Sequence, residues 1–373
     1  MFDEYGRRRP ETYTPFLRSQ HHALYQCTPE ESYKWEQGEP GGAAKEWWAE
    51  VEAVKRLLPR RVKLRYGLSA ENLPARLRAA CPRPLLLDRA TLNFLAQNPH
   101  SRCWSWARTA LGWFVTDTTA LGLLGAYQMH VLSTEQCRDL LDPTGAATAA
   151  AGGNGAPLFG SLLDVGAGEG RVTSCLEPLF REVSATDVCG PMVWRLSRRG
   201  YDAHKTESPS TLAPAKFDCV ALLNVLDRCD KPIAMLSECK DRMKPDGGRL
   251  LLSIVIPYHP YVQTKQIKGI DGGKPAEQLP KLDNYESFED AVGRLVTAII
   301  EPAGLVVERI ARVPYLCLGD TLGSRMYELD DAVLVCRART ADDDETSCVP
   351  CATADGAGGG GGGGGGGARS AAP

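Results

Sequence analysis

Three groups of residues have the types and spacing to do chemistry: the run Asp164-Val-Gly-Ala-Gly-Glu-Gly170, the acid Asp187, and the run Asn224-Val-Leu-Asp227-Arg228. Ser161-Leu-Leu-Asp-Val leads straight into the glycines, the way a buried strand enters a nucleotide-binding loop. Gly166 and Gly168 let the backbone approach a ligand closely and take angles that a Cβ forbids. Asp187 closes the next apolar run about 20 residues on, where a carboxylate holds two ribose hydroxyls. The loop is not a dinucleotide fingerprint, because position 171 is Arg, and no Walker lysine follows. Asp164 would repel a pyrophosphate and suits a cationic ligand. The plain alternative, a strand-to-helix turn with no ligand, leaves the joint occurrence of acid, glycines and Asp187 unexplained. The combination points to S-adenosylmethionine, whose sulfonium and ammonium favour acidic neighbours and whose ribose suits Asp187.

Asn224, Asp227 and Arg228 lie just past an apolar run, the place where ligands sit in open α/β sheets. Asn224 suits the amino-acid portion of the cofactor, and Asp227 the group being methylated. Spacing alone leaves a second reading open, in which Asp227 and Arg228 cap a helix and pair on the surface. His259 stands in Ile256-Pro-Tyr-His-Pro-Tyr-Val262, where prolines stiffen the turn and tyrosines would wall a flat ring. Tyr315 and Tyr327 lie near later strand ends, where tyrosine can cover a cofactor or bond a substrate; each could equally be packing.

The elements that must hold these residues follow from periodicity. Strands are predicted over 161–166, 182–187, 217–223, 249–256, 305–313 and 331–337, and helices over 170–180, 190–199, 232–243 and 286–303. The alternation implies an α/β fold, a Rossmann-like parallel sheet with helices on both faces. No helix separates the last two strands, so an antiparallel pair at one edge is expected. Upstream, residues 1–45 read as irregular, 46–142 as a helical extension and 143–157 as a flexible linker. Within the extension, Ser133-Thr-Glu-Gln136 has the hydroxyl and amide of a capping box. The α/β domain is placed at 158–338. Residues 339–373, with glycine from 358 to 367, read as a disordered tail.

The 373 residues carry a net charge of -3 and no basic stripe, which argues against a nucleic-acid partner. No apolar run reaches the ~18 residues of a membrane span. The mixed charges at the start do not read as a leader, so a cytoplasmic location is expected. The 13 cysteines sit mostly alone in apolar runs and suggest neither disulfides nor a metal; Cys348 and Cys351 form a lone pair in the tail.

Together these segments resemble the DREV methyltransferases, class I S-adenosylmethionine-dependent protein-histidine N-pros-methyltransferases. The resemblance rests on Leu162–Gly170, Ala185-Thr-Asp187, Leu223-Asn-Val-Leu-Asp-Arg-Cys-Asp230, Pro257-Tyr-His-Pro-Tyr-Val262, Pro314-Tyr-Leu-Cys-Leu-Gly-Asp320 and Leu329-Asp-Asp-Ala-Val333. It implies methyl transfer to the pros nitrogen of histidine in proteins carrying His-x-His motifs. It further implies cofactor contacts at Asp187, Asn224 and Tyr315, and a histidine pocket lined by Asp227 and Tyr327. The family usually has an acid one carbon longer where this chain has Asp187. The resemblance says nothing about residues 1–80 or oligomeric state. Two other classes stay open: a methyltransferase for a small molecule or another protein residue, and an inactive scaffold that binds a partner.

Overall fold

A computed structural model describes four positions between 51 and 56, most of 63–262, most of 275–319, all of 326–341, and Asp343. The expectations for residues 1–45, for the glycine run and for Cys348 and Cys351 lie outside these residues. Eight strands form one sheet: β1 (Met129–His130), β2 (Phe159–Val165), β3 (Phe180–Asp187), β4 (Asp202–Lys205), β5 (Cys219–Leu223), β6 (Arg249–Val255), β7 (Leu305–Leu318) and β8 (Met326–Ala338). Their order across the sheet is β1-β7-β8-β6-β5-β2-β3-β4. From β4 to β6 the pairing is parallel, and from β6 onward it is antiparallel. This is the class I methyltransferase sheet, with the reversed hairpin β7–β8 on one side.

Each buried strand feeds both faces, because successive side chains alternate. Leu163, Val220, Leu222, Leu250, Leu252 and Ile254 pack on one side, against Leu236 and Cys239 of the helix Pro232–Arg242 and Phe288, Val292 and Leu295 of the helix Phe288–Leu295. Leu162, Ala221, Leu251, Val313, Val333 and Val335 pack on the other, against Val131, Leu132, Cys137, Leu140, Leu176 and Leu179. The second core therefore draws on the upstream extension. There, the helix Thr134–Leu141 opens with the expected capping box: Ser133 Oγ accepts from the Gln136 N–H at 3.1 Å, and Gln136 Oε1 from the Ser133 N–H at 3.0 Å.

The structure differs from expectation in several places. β4 was not predicted; its Asp-Ala-His-Lys sequence lacks an apolar face because it pairs with β3 on one side only. β7–β8 does not quite end the sheet, since β1 adds two residues beyond β7. The extension is mixed rather than helical, with the extended stretch 63–66 and β1 between its short helices. Within 143–157 there is a short helix, Ala146–Ala150; Asp142 accepts from the N–H of Ala147 and of Thr148 at 3.0 and 2.8 Å. The elements up to Ala338 belong to one compact unit.

The last strand is also tied to the upstream chain. Asp330 on β8 pairs with Arg65 and with Arg312, whose Nη2 lies 2.9 Å away. Glu328 accepts from the Lys63 N–H at 2.6 Å, and burial pushes its carboxyl up to about 7. Val51, Val54, Leu92, Phe94 and Leu95 cluster with Leu316 and Met326 at this end of the hairpin. Behind them His130 is buried, stacked on Phe94 at 5.4 Å with Thr91 Oγ1 at 3.0 Å from its Nε2.

Candidate active site

Parallel β2, β3 and β5 bring their carboxyl ends to one edge of the sheet, and the loops leaving them meet there. The loop after β2 is built on left-handed glycines, with φ of 73° at Gly166, 59° at Gly168 and 80° at Gly170. A Cβ on Gly166 would lie 2.5 Å from Val225 Cγ2, so the loops after β2 and β5 touch. Asp187 ends β3, and its two oxygens accept from backbone N–H groups on either side: Gly168 at 3.0 Å and Cys189 at 2.7 Å. Burial raises its pKa while those donors lower it. Its carboxylate is thereby aimed along the loop edge, with lone pairs left to accept hydroxyls.

Asp164 is turned the other way. Its Oδ2 accepts from Thr173 Oγ1 at 2.6 Å, and burial pushes the carboxyl up to about 6. It anchors the start of the helix Thr173–Leu176 beneath the loop. The helix Asp117–Leu124 packs on the helix Gly190–Arg198 that follows Asp187, and its Gly122 and Leu123 carbonyls accept from Arg195 Nε and Nη2 at 2.5 and 3.0 Å.

Asn224 follows β5 directly and has φ of 55°, a left-handed position that Asn tolerates better than most side chains. Its N–H donates to the Ser253 carbonyl at 3.0 Å, and its Nδ2 donates to Asp331 Oδ2 at 2.6 Å. Its Oδ1 is buried with no hydrogen-bond partner among the described residues. Asp227 is 5% exposed, and Arg228 Nε stands 3.7 Å from its Oδ2. Asp227 is therefore buried and Arg228 half-buried, and the two are not a surface ion pair. The Asp227 carbonyl accepts from the Tyr261 N–H at 2.8 Å, which ties this loop to the turn after β6.

In that turn Tyr258 points inward and its hydroxyl donates to the Leu226 carbonyl at 3.3 Å, while His259 is exposed. Tyr315 is buried on β7 beneath the Arg228 guanidinium, 5.9 Å from its ring centre, and its hydroxyl contacts Met129 Sδ. Tyr327 is half-buried on β8, in register with Cys317. The fold thus gathers Gly166, Gly168 and Asp187 at one place, and Asn224, Asp227, Arg228 and Tyr315 beside it. It places Asp164 below the loop and His259 at the surface. Sequence reasoning gave Asp331 no role of its own and set Tyr258 with Tyr261 as walls for a flat ring, whereas the structure buries Tyr258 against Leu226. For Asp331 the signal was an acid entering the apolar run Ala332-Val-Leu-Val335, the mark of a charge carried into a core strand.

Among the described residues there is no cluster of metal-ligating side chains, the ten described cysteines are free, and no helix is long and apolar enough to cross a membrane.

Among characterised proteins, the methyltransferase AacuQ of Aspergillus aculeatus is 35% identical over 95 residues, 24% of this chain and 30% of that protein. A ubiquinone biosynthesis O-methyltransferase of Xylella fastidiosa is 30% identical over 108 residues, 26% of this chain and 44% of that one. The chain thus spans less than half the length of either relative. Of solved structures, the DhpI–S-adenosylhomocysteine complex aligns with 63% of this chain and 97% of its own, at 16% identity and a TM-score of 0.35. The N-methyltransferase NodS of Bradyrhizobium japonicum aligns with 49% and 79%, at 16% identity and 0.32. A model of the DREV methyltransferases matches residues 66–338, well over half of the sequence and every residue of the site, and the chain belongs to the DREV methyltransferase family.

Proposed function

We propose that this protein transfers a methyl group from S-adenosylmethionine to the pros nitrogen of histidine in His-x-His motifs of other proteins. Family membership supports the cofactor, and so do the residues. Asp187 has carboxylate lone pairs for a ribose, the glycine loop leaves room for close backbone approach, and Asn224 Oδ1 is a buried acceptor lacking a partner. The cofactor supplies an electrophilic methyl group on a sulfonium.

The observation that carries the acceptor assignment is the buried carboxylate of Asp227, held in the loop beside Asn224 with Arg228 Nε 3.7 Å from its Oδ2, while its backbone carbonyl is tied to Tyr261. Histidine has a reference pKa of about 6.5, so most of it is neutral at pH 7 and needs no strong base. What it needs is a fixed tautomer. Asp227 accepts the tele N–H of the acceptor imidazole, which leaves the pros lone pair free to attack. The same carboxylate stabilises positive charge as it develops on the ring, an electrostatic role that needs no proton abstraction. Tyr327 lines the ring, and the turn carrying His259 meets the second histidine of the motif. With His259 exposed, His259→Ala is expected to raise KM for the peptide while leaving kcat unchanged.

The test is methyl transfer from labelled S-adenosylmethionine to an Ala-His-Ala-His peptide and to peptides with each histidine replaced, with mass spectrometry to separate pros from tele products. Pros-methylation that disappears with the histidine is expected, together with a drop of about a hundredfold or more in kcat for Asp227→Asn. Full activity in Asp227→Asn would refute the role of that carboxylate. A second reading is methyl transfer to a small-molecule hydroxyl, which the O-methyltransferase named above favours. A phenolic acceptor methylated in place of the peptide would establish it.

A further inference from the structure

Asp331 has no part in the chemistry described so far, yet it is the most deeply buried acid of the site. It lies on β8 with Val255 of β6 on one side and Val313 of β7 on the other, and it is 0% exposed. Its Oδ2 takes the Asn224 Nδ2 hydrogen bond at 2.6 Å, across 107 residues of sequence. Its other oxygen has no hydrogen-bond partner among the described residues. A fold that carries an acid into a core strand accepts a desolvation cost, and such groups call for an explanation.

The geometry of Asn224 supplies one. The amide of an Asn side chain has a donor end and an acceptor end, and nothing in its shape decides which faces a ligand. Here the backbone N–H donates to Ser253 and Nδ2 to Asp331, which fixes the orientation of the amide and leaves Oδ1 as its unpartnered acceptor end. We propose that Asp331 is a positioning residue: by holding Asn224 Nδ2 it fixes the amide so that the buried, unpartnered Oδ1 is kept as an acceptor for the α-ammonium group of the cofactor. This rests on the methyltransferase reading given above. Burial pushes the Asp331 carboxyl up to about 8, with Asp227 and Asp330 raising it and Asn224 and Arg228 opposing. In its neutral form it sets no second negative charge beside Asp227, and its carbonyl oxygen still accepts from the amide.

The experiment is calorimetric titration of S-adenosylhomocysteine and its deamino analogue, which lacks only the α-amino group, into wild type, Asp331→Asn, Asp331→Leu and Asn224→Gly. Wild type is expected to prefer S-adenosylhomocysteine by about tenfold or more, the worth of a hydrogen bond to a charged group. Asp331→Asn retains an acceptor for Nδ2 and should keep that preference. Asp331→Leu should bring it close to unity while leaving the affinity for the deamino analogue unchanged. Asn224→Gly suits the left-handed backbone and deletes the amide, so it should give the same loss even where the Leu variant folds poorly. A preference near unity in wild type, a preference retained in Asp331→Leu or Asn224→Gly, or a Leu variant that loses both ligands equally would overturn the proposal. Wild type that binds neither ligand would instead overturn the methyltransferase reading, and the proposal with it.

Discussion

Adding one methyl group at Gly166 should damage stability and cofactor binding together, and the structure allows the two causes of the damage to be separated. Gly166 has φ of 73°, so an alanine there must take a left-handed backbone at about 1–2 kcal/mol. Its Cβ would also stand 2.5 Å from Val225 Cγ2 and 3.3 Å from Cγ1. Forcing an extra carbon into that contact costs a further ~1–3 kcal/mol. Gly166→Ala is therefore expected to lose about 2–5 kcal/mol, a large part of the ~5–15 kcal/mol that holds a domain together. Urea denaturation gives the loss as a lower midpoint with an unchanged slope. Val225→Ala removes both methyls from the contact, so the double variant should recover the steric share and keep the backbone share. The double-mutant cycle should show about 1–3 kcal/mol of favourable coupling. Because Val225 adjoins Asn224, cofactor affinity should fall in Gly166→Ala and return in the double variant. A cost below about 0.5 kcal/mol for Gly166→Ala, or coupling near zero, would refute the reasoning.

Three further outcomes are expected. Asp187→Ala should weaken S-adenosylmethionine by about tenfold or more in calorimetry, and unchanged affinity would remove the ribose role. Burial holds the His130 imidazole neutral, lowering its pKa from 6.5 to about 4. The unfolded chain therefore gains a proton that the folded chain refuses, and stability present above pH 6.5 should be lost as pH falls toward 4, by up to ~3 kcal/mol; His130→Gln should flatten that slope in denaturation series at pH 4.5 and 7.5. Asp330→Asn strands two nearly buried guanidinium groups, Arg65 and Arg312, and should cost about 3–5 kcal/mol, read as a fall in Tm; a change under about 1 kcal/mol would mean that water solvates them.

Much of the sheet was legible because local signals coincide in β2, β3, β5 and β6: an apolar run, a turn of glycine or polar residues, then a helical period. The glycine loop was legible for the same reason, since glycines at 166, 168 and 170 announce left-handed turns in any context. β4 escaped because an edge strand needs no continuous apolar run, and β1 because two residues have no period. The predicted helix over 286–303 is a helix to Leu295 and a wider π turn through Ile300, a change that its uniform apolar spacing does not mark. In the site, Asn224 and Asp227 could be found from their place after a strand. Asp331 could not be linked to them, because hydrogen bonds between distant strands depend on register rather than on neighbouring residues. Nor does spacing reveal that Asp164 faces inward to Thr173, since alternation assigns a face and not a partner.

The ties between the upstream chain and β8 have a consequence for how the protein is made. Arg65 and Asp330 are 265 residues apart, as are the Lys63 N–H and Glu328. Leu92, Phe94 and Leu95 find their apolar cover on Leu316 and Met326, which leave the ribosome more than two hundred residues later. Domains fold largely in the order of synthesis, and contacts this distant form late. The apolar face of Leu92, Phe94 and Leu95 must therefore wait uncovered on the ribosome. During that interval it is a natural client for chaperones, and truncation anywhere before β8 leaves the early helices without the surface that completes them.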